Sequence, residues 1–97
     1  MPSYVTLIRL TQQGRDKIKE HPVRLEEAKE LYQAMGARIK EFYLVMGQYD
    51  MVVIAEAPDD ETIAKLSLAI AAAGDSYSES CRAFTEDEYR RIISALP

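Results

Sequence analysis

The sequence of 97 residues has one cysteine, Cys81, and one histidine, His21, and it contains neither tryptophan nor asparagine. A single cysteine excludes an intrachain disulfide, a cluster of cysteine ligands and the Cys-x-x-Cys loop of metal-transport domains. A lone histidine at a predicted helix junction disfavours both a haem ligand and a histidine-activated nucleophile. We therefore expect no metal and no cofactor, with Cys81 a buried, inert thiol and His21 a solvated junction residue.

The chain also lacks a basic run and a long hydrophobic segment. Its 12 Lys and Arg against 16 Asp and Glu give a net charge of −4, whereas nucleic-acid binders usually carry a basic stripe. No apolar run approaches the roughly 20 residues needed to cross a bilayer, and the N-terminus has no signal-peptide pattern. We expect a cytoplasmic protein that binds neither nucleic acid nor membranes.

The remaining pattern predicts a single domain over residues 1–97. Hydrophobic residues make up 47% of the chain, which is enough for a core at this length. Runs rich in β-branched and aromatic residues are typical of strands. The predicted strands are residues 3–10, 38–46, 49–56 and 76–84.

Three helices are predicted between and after these strands. Their expected limits are residues 11–36 with a break near Pro22, 59–74, and 86–96. Thr85 with Glu88 three residues later is a capping-box pattern that begins the last helix. The order βαββαβ with a C-terminal helix predicts an α+β fold, a ferredoxin-like sandwich with a four-stranded antiparallel sheet and helices on one face.

The stretch MGQYD at residues 46–50 is predicted to close a hairpin between the second and third strands. With Gly47 and Gln48 at the centre of a type II′ turn, Met46 pairs with Tyr49 and the side chains alternate between two faces. The predicted helix-covered face carries Phe42, Leu44, Met46, Tyr49, Met51, Val53 and Ala55. The opposite face carries Ile39, Glu41, Tyr43, Val45, Asp50, Val52, Ile54 and Glu56.

The second of these faces predicts the assembly. Its aliphatic residues Ile39, Val45, Val52 and Ile54 form a patch of the kind that marks an interface. Burying four such side chains is worth about 6–10 kcal/mol before the cost of association. We expect the face to pack against the same face of another copy, giving a homodimer or higher homo-oligomer with polar groups lining a cavity.

Three runs, YVTLIRLT, EFYLVMGQYDMVVIAEAPDDE and CRAFTEDEYRRII, closely resemble the GYD domain family. The Gly-Tyr-Asp pattern of that family is matched by Gly47, Tyr49 and Asp50, with Gln48 between the first two. The resemblance covers essentially the whole chain. It implies a ferredoxin-like subunit of the dimeric α/β-barrel superfamily, which includes cofactor-free monooxygenases, haem enzymes and ligand-sensing domains, so it implies fold and dimerisation better than activity.

Five residues are candidates for a site on the predicted open face. Asp50 would be a general base if buried, or would bond backbone amides and fix the turn. Tyr43 and Glu41 share that face, where the phenol would bind or protonate an oxygenated ligand or pair across the dimer. Arg9 and Arg82 lie on strands that should be adjacent, and each would bind an anionic ligand or form an interfacial ion pair.

Two functions follow from these residues. The first is a binding or interaction module, in which a homodimer holds a small organic ligand or contacts a partner. The second is a cofactor-free oxygenase or isomerase, with Asp50 as base and Tyr43 or an arginine stabilising negative charge. We favour the first, because the polar residues are few and no proton donor–acceptor set includes a histidine.

Overall fold

The computed structural model describes all 97 residues and shows the predicted order of elements. The strands are β1 (Ser3–Leu10), β2 (Arg38–Leu44), β3 (Met51–Glu56) and β4 (Ser76–Ala83). The helices are α1 (Gln12–Asp16), α2 (His21–Ala34), α3 (Asp60–Ala71) and α4 (Glu86–Ser94), with a 3-10 turn at Ile18–Glu20. The predicted α+β class is confirmed.

The four strands form one antiparallel sheet in the order β2-β3-β1-β4, which is the ferredoxin-like topology. Helices α2 and α3 pack on one side of the sheet, which we call the helix side. No helix covers the other side, which we call the open face. None of the helices has the length and apolar character needed to cross a membrane.

The core lies between the sheet and the two long helices. Burial alternates along β3, where Met51, Val53 and Ala55 are buried and their neighbours are only partly covered. Leu66 of α3 is completely buried, and Tyr4 of β1 is 2% exposed. This alternation of buried and partly covered residues confirms the predicted facing of the β3 side chains, and Met51 is a core residue as predicted.

The predicted helix starts are confirmed by their caps. Thr11 and Asp59 each accept a hydrogen bond from a backbone amide three residues on. Thr85 and Glu88 form the reciprocal capping box, in which each side chain accepts from the other residue's amide. These local signals work because they satisfy amides that the first helical turn leaves without partners.

The break in the first helical region lies earlier than predicted. The chain leaves helical geometry at Lys17, and Pro22 lies in the first turn of α2. Proline is well tolerated there because its missing N–H has no helical partner in any case. His21 therefore begins α2 rather than forming a solvated junction. Its ring stacks on Phe42 with centroids 6.2 Å apart, and burial lowers the pKa of His21.

The two strands of the central hairpin are shorter than predicted, although their register is correct. Leu44 faces Met51 as expected. The amide of Val45 donates to the carbonyl of Asp50 at 2.9 Å, which is the last hairpin hydrogen bond.

The connection is a four-residue loop, 46–49, instead of the predicted two-residue turn. No backbone hydrogen bond joins Met46 to Tyr49. Gly47 has φ of +117°, a conformation that side-chain-bearing residues rarely adopt. The prediction that Gly47 adopts a positive φ is therefore confirmed. The prediction of a two-residue type II′ turn is wrong.

A shift of register in β2 reverses the predicted side of Ile39. Ile39 faces Ala55, and Glu41 faces Ile54, so Lys40 is an extra residue in the manner of a β-bulge. Ile39 consequently packs against the core on the helix side. The predicted position of Ile39 on the open face was wrong, because the extra residue Lys40 reverses which side of the sheet the side chains before it face.

Three further burial predictions were wrong, all at the margins of the sheet. Leu44 is 74% exposed and Met46 is 99% exposed, because the edge strand β2 and its loop extend beyond the two helices. Cys81 is exposed rather than buried, because its partner Val5 lies on the open face and β4 is the opposite edge strand.

Candidate functional site

The open face carries two rows of side chains that run across the four strands. The first row, from β2 to β4, is Tyr43, Val52, Leu7 and Glu79, and the second is Glu41, Ile54, Val5 and Cys81. In each row the two central strands supply the aliphatic residues and the edges supply polar or aromatic ones. The face therefore has an apolar middle and a more polar margin.

We call Val5, Leu7, Val52 and Ile54 the apolar centre. All four are only partly buried by their own chain. Val52 and Ile54 were predicted to lie on this face, whereas Val5 and Leu7 were not, because the two sides of β1 had no predicted assignment. Tyr4 and Thr6 are buried on the helix side. Because side chains alternate along a strand, Val5 and Leu7 lie on the open face.

Asp50 is part of the hydrogen-bonding edge between β1 and the hairpin. Its Oδ2 accepts a hydrogen bond from the amide of Leu10 at 2.8 Å. Its own amide donates to the carbonyl of Ile8 at 2.8 Å. The carboxylate thus extends the β1–β3 ladder beyond Met51, the first residue of β3. This arrangement matches the structural alternative for Asp50, a bond to a backbone amide.

Tyr49 lies over the open face, so its predicted place beneath the helices was wrong. Its hydroxyl donates to Oε2 of Glu79 at 3.1 Å, and the guanidinium of Arg9 lies 5.3 Å from the centre of its ring. Nε of Arg9 also donates to the carbonyl of Gln48 at 2.8 Å. The loop 46–49 is therefore folded back across β1. We call Arg9, Tyr49 and Glu79 the Tyr49 cluster.

The chemistry available to the Tyr49 cluster is limited. The hydrogen bond to the Glu79 carboxylate, followed by its charge, raises the pKa of Tyr49, so the phenol is held protonated rather than activated as a base. The cluster lines an open cleft of about 260 Å³ together with Leu7, Tyr77 and Ser78. Its cation and its carboxylate both already have partners within the chain.

The other candidate residues lie apart from this cluster. Tyr43 and Glu41 are exposed on β2 and make no side-chain hydrogen bonds. Three strand spacings, about 14 Å, separate β2 from β4 and hence Tyr43 from Glu79. The structure therefore brings Arg9 and Asp50 to the same end of the sheet, whereas Tyr43 lies on the edge strand β2, next to the strand that follows Asp50, and makes no hydrogen bond to Asp50.

Arg82 lies on the helix side of β4, so the two candidate arginines are on opposite sides of the sheet. It lies over the rings of Tyr4 and Phe84, at 5.8 Å and 4.5 Å from their centres. It also pairs with Glu88 at 3.7 Å. These contacts join the start of α4 to the end of the sheet, away from the apolar centre.

Helix α4 projects from the body of the protein with its apolar side uncovered. None of its residues is buried, and eight of its nine are exposed. Tyr89, Ile92 and Ile93 recur at helical spacing, and Leu96 continues the series. We call these four residues the α4 stripe. They are all among the exposed large hydrophobic residues of the chain.

The helix side of the sheet has a cavity but holds none of the five candidate residues there, and the chain has no metal-ligand cluster. A cavity of about 240 Å³ lies on the helix side between α2, α3 and the sheet, and none of the five candidate residues lines it. No three His, Cys, Asp or Glu side chains lie close enough together to hold a metal ion.

The four-stranded antiparallel sheet, with helices on one side and an apolar open face on the other, defines a ferredoxin-like α+β domain. The family model of the GYD domain matches residues 4–93. The chain belongs to the GYD domain family, as the resemblance predicted.

Three known proteins show what this chain is similar to. The "Glutamine synthetase and cystathionine beta-lyase binding protein" of Thermus thermophilus is 36% identical over 75 residues, covering 76% of this chain and 79% of the relative. A feast or famine regulatory protein from Mycobacterium tuberculosis, solved with L-methionine, has a TM-score of 0.66 at 16% identity. The match covers 88% of this chain and 51% of the regulator, so this chain spans about half of the regulator's length.

The third, a solved structure of a Thermus thermophilus protein, has a TM-score of 0.56 at 22% identity, covering 88% of this chain and 95% of the other. At these identities the two solved structures show a shared fold alone. The relative at 36% identity is named for the two enzymes that it binds.

Proposed function

We propose that this protein is a non-catalytic interaction module of the cytoplasm, in which two copies pair through their open faces and the pair binds another protein. The observation that carries the proposal is the apolar centre, an aliphatic patch that no helix covers and that the chain buries only in part. A patch of this kind marks an interaction surface more often than a solvated one.

Pairing of two open faces is the arrangement that best removes this patch from water. A two-fold interface places the same surface on both copies, so each apolar centre meets the other. Each side chain is already partly buried, and burying its remainder contributes about 1 kcal/mol. Tyr43 and Tyr77, at the two edges of the face, extend the contact with aromatic surface of the kind enriched at interfaces.

The placement of the candidate acid and phenol favours a module over a cofactor-free enzyme. Asp50 uses its carboxylate to bond the amide of Leu10. Tyr49 has a raised pKa, and the exposed hydroxyl of Tyr43 makes no hydrogen bond to Asp50 or to any other side chain. A general base needs a substrate proton within hydrogen-bond reach, and Asp50 lines neither the Tyr49 cleft nor the helix-side cavity.

A protein is also a better occupant of the open face than a small organic ligand. The cleft at the Tyr49 cluster on that face is open, and its charged groups already have partners. Small-ligand sites are usually concave and largely enclosed. A broad apolar patch with a polar margin is instead typical of protein–protein contacts.

The α4 stripe is the second uncovered apolar surface, and we propose that it contacts the partner protein. The name of the Thermus thermophilus relative supports a partner that is an enzyme, since that protein is named as binding glutamine synthetase and cystathionine beta-lyase. These two enzymes are accordingly the first partners to test for this chain.

The test is biolayer interferometry with purified glutamine synthetase and cystathionine beta-lyase from the same organism as this chain. We expect the wild-type chain to bind at least one of them and Ile92→Glu to weaken that binding about tenfold or more, as expected for an interface anchor. Val23→Glu, at an exposed valine of α2 that lies outside both surfaces, is the matched control. No binding of either enzyme, or equal binding by Ile92→Glu, would contradict the partner half of the proposal.

A further inference from the structure

The cavity on the helix side has an apolar floor and apolar walls. Of its 17 lining residues 12 are hydrophobic. The floor is formed by the sheet residues Ile8, Ile39, Phe42 and Val53. The cavity is about 240 Å³ and opens between α2 and α3. It is separated from the open face by the full thickness of the sheet.

Small side chains on the two helices explain why the cavity exists. Ala28 of α2 and Ala69 and Ala73, from α3 and just beyond it, line it where larger residues would close the gap. Protein interiors are normally packed to crystal-like density, and voids larger than a water molecule are few. These small side chains therefore leave an open apolar space beneath the two helices that is large enough to take a bound molecule.

Tyr32 indicates what kind of group that occupant carries. Its side chain lines the cavity and is 4% exposed, yet its hydroxyl makes no hydrogen bond within the chain. A buried tyrosine hydroxyl usually has a partner. No fully enclosed side-chain nitrogen or oxygen lacks one here, so the Tyr32 hydroxyl faces accessible space. Burial raises the pKa of Tyr32, which keeps the hydroxyl protonated and able to donate.

The mouth of the cavity favours a ligand without charge. Arg24 lies 3.3 Å from the Glu27 carboxylate and 3.9 Å from that of Asp75, so these charges satisfy one another. Burial, opposed by Asp75, lowers the pKa of His21, which leaves the imidazole neutral at neutral pH. An anion would meet two carboxylates there, and a cation would meet a guanidinium.

The volume sets the size of the ligand. An apolar cavity of about 150 Å³ holds benzene, so 240 Å³ suits a two-ring aromatic or a branched aliphatic molecule of similar size. We propose that this cavity binds a compact, uncharged, mostly apolar molecule with one hydroxyl or carbonyl group, which bonds to the Tyr32 hydroxyl. This site is independent of pairing through the open face.

The test is isothermal titration calorimetry of the full chain with 2-naphthol, which has two rings and one hydroxyl. We expect a Kd of about 0.1 mM or tighter, given the usual affinity per atom of small ligands. Ala28→Leu fills the cavity and should weaken binding about tenfold or more. Ala34→Leu, at an exposed alanine of the same helix that does not line the cavity, should leave the Kd unchanged.

A second pair of measurements isolates the hydroxyl. Tyr32→Phe should weaken 2-naphthol binding about fivefold, the loss of one hydrogen bond, and leave the binding of naphthalene unchanged. The carboxylate 2-naphthoate should bind more weakly than 2-naphthol. If Ala28→Leu fails to fold, Ala69→Leu fills the same cavity from α3.

Three outcomes would overturn the proposal. The first is no detectable binding of 2-naphthol to the wild-type chain. The second is wild-type affinity in a folded cavity-filling variant. The third is binding that Val52→Lys abolishes, since that substitution lies on the open face and its effect would place the ligand there.

Discussion

The carboxylate of Asp50 accepts a hydrogen bond from the backbone amide of Leu10 at 2.8 Å, across 40 positions of sequence. A side chain thereby takes the place of a strand carbonyl at the point where β3 gives way to the hairpin loop. The same contact holds the loop against β1, next to the point where Arg9 bonds to Gln48. In this way the acid of the Gly-Tyr-Asp pattern sets the position of Tyr49 on the open face.

We expect Asp50→Ala to lower the free energy of unfolding by about 1–3 kcal/mol, because the Leu10 amide loses its partner. Asp50→Asn should cost less, since its amide oxygen still accepts. Urea unfolding followed by circular dichroism measures both, and Asp87→Ala on the exposed α4 is the control. Equal costs for Asp50→Ala and Asp87→Ala would show that the contact does not stabilise the fold.

Tyr4 should make the protein less stable at high pH. Burial, and next its hydrogen bond to Asp60, raise the pKa of Tyr4 from 10.0 to about 12. Because the folded pKa is the higher one, this stabilisation is complete below pH 10 and is lost as the pH rises through about 12. The rise in the pKa of Tyr4 corresponds to about 3 kcal/mol of stability.

Urea unfolding of the wild-type chain and of Tyr4→Phe at a series of pH values between about 9 and 12 measures this dependence. We expect the wild type to lose more stability than the variant over that interval. Parallel losses in the two proteins would mean that Tyr4 is not the group responsible.

Two apolar residues of similar size should differ sharply when they are truncated. Leu66 is completely buried in the core, and its replacement by alanine should cost about 2–5 kcal/mol. Ile92 lies in the α4 stripe, where no residue is buried, so Ile92→Ala should change the unfolding free energy by less than about 0.5 kcal/mol. Chemical unfolding at low protein concentration tests both, and a large cost at Ile92 would show that α4 packs within its own chain.

Cys81 reports directly on whether the open face is covered. Its thiol is exposed in the single chain and lies in the same row as the apolar centre. We expect alkylation by iodoacetamide to slow as the protein concentration rises through the range of association. The Val52→Lys variant should react at the fast rate at every concentration. A wild-type rate independent of concentration would mean that this face stays open.

Several features of the fold and site were accessible from the sequence because they depend on near neighbours. The strand and helix order, the caps at Thr11 and Thr85, and the facing of Val52 and Ile54 all follow from local pairing rules and a period of two. The pairing of Val45 with Asp50 likewise follows from counting outward from the loop.

Other features depend on distant contacts that no local pattern encodes. The register shift at Lys40 is an insertion between two alternating runs, and it alone places Ile39 on the helix side. Tyr49 crosses the sheet because Asp50 bonds to β1, a contact 40 positions away. The helix-side cavity needs Ala28 of α2 and Ala69 of α3 to line the same space above the sheet, a placement that the separate pattern of each helix does not specify.

Pairing of the open faces is the central claim, and native mass spectrometry with sedimentation velocity tests it most directly. The wild-type chain, with a mass of 11.0 kDa, should be found at twice that mass or a higher even multiple. Val52→Lys places a charge in the apolar centre and should remain folded as a monomer, while the exposed-helix control Val23→Lys should assemble like the wild type. A monodisperse 11.0 kDa wild-type species, or Val52→Lys assembling as well as Val23→Lys, would contradict the account.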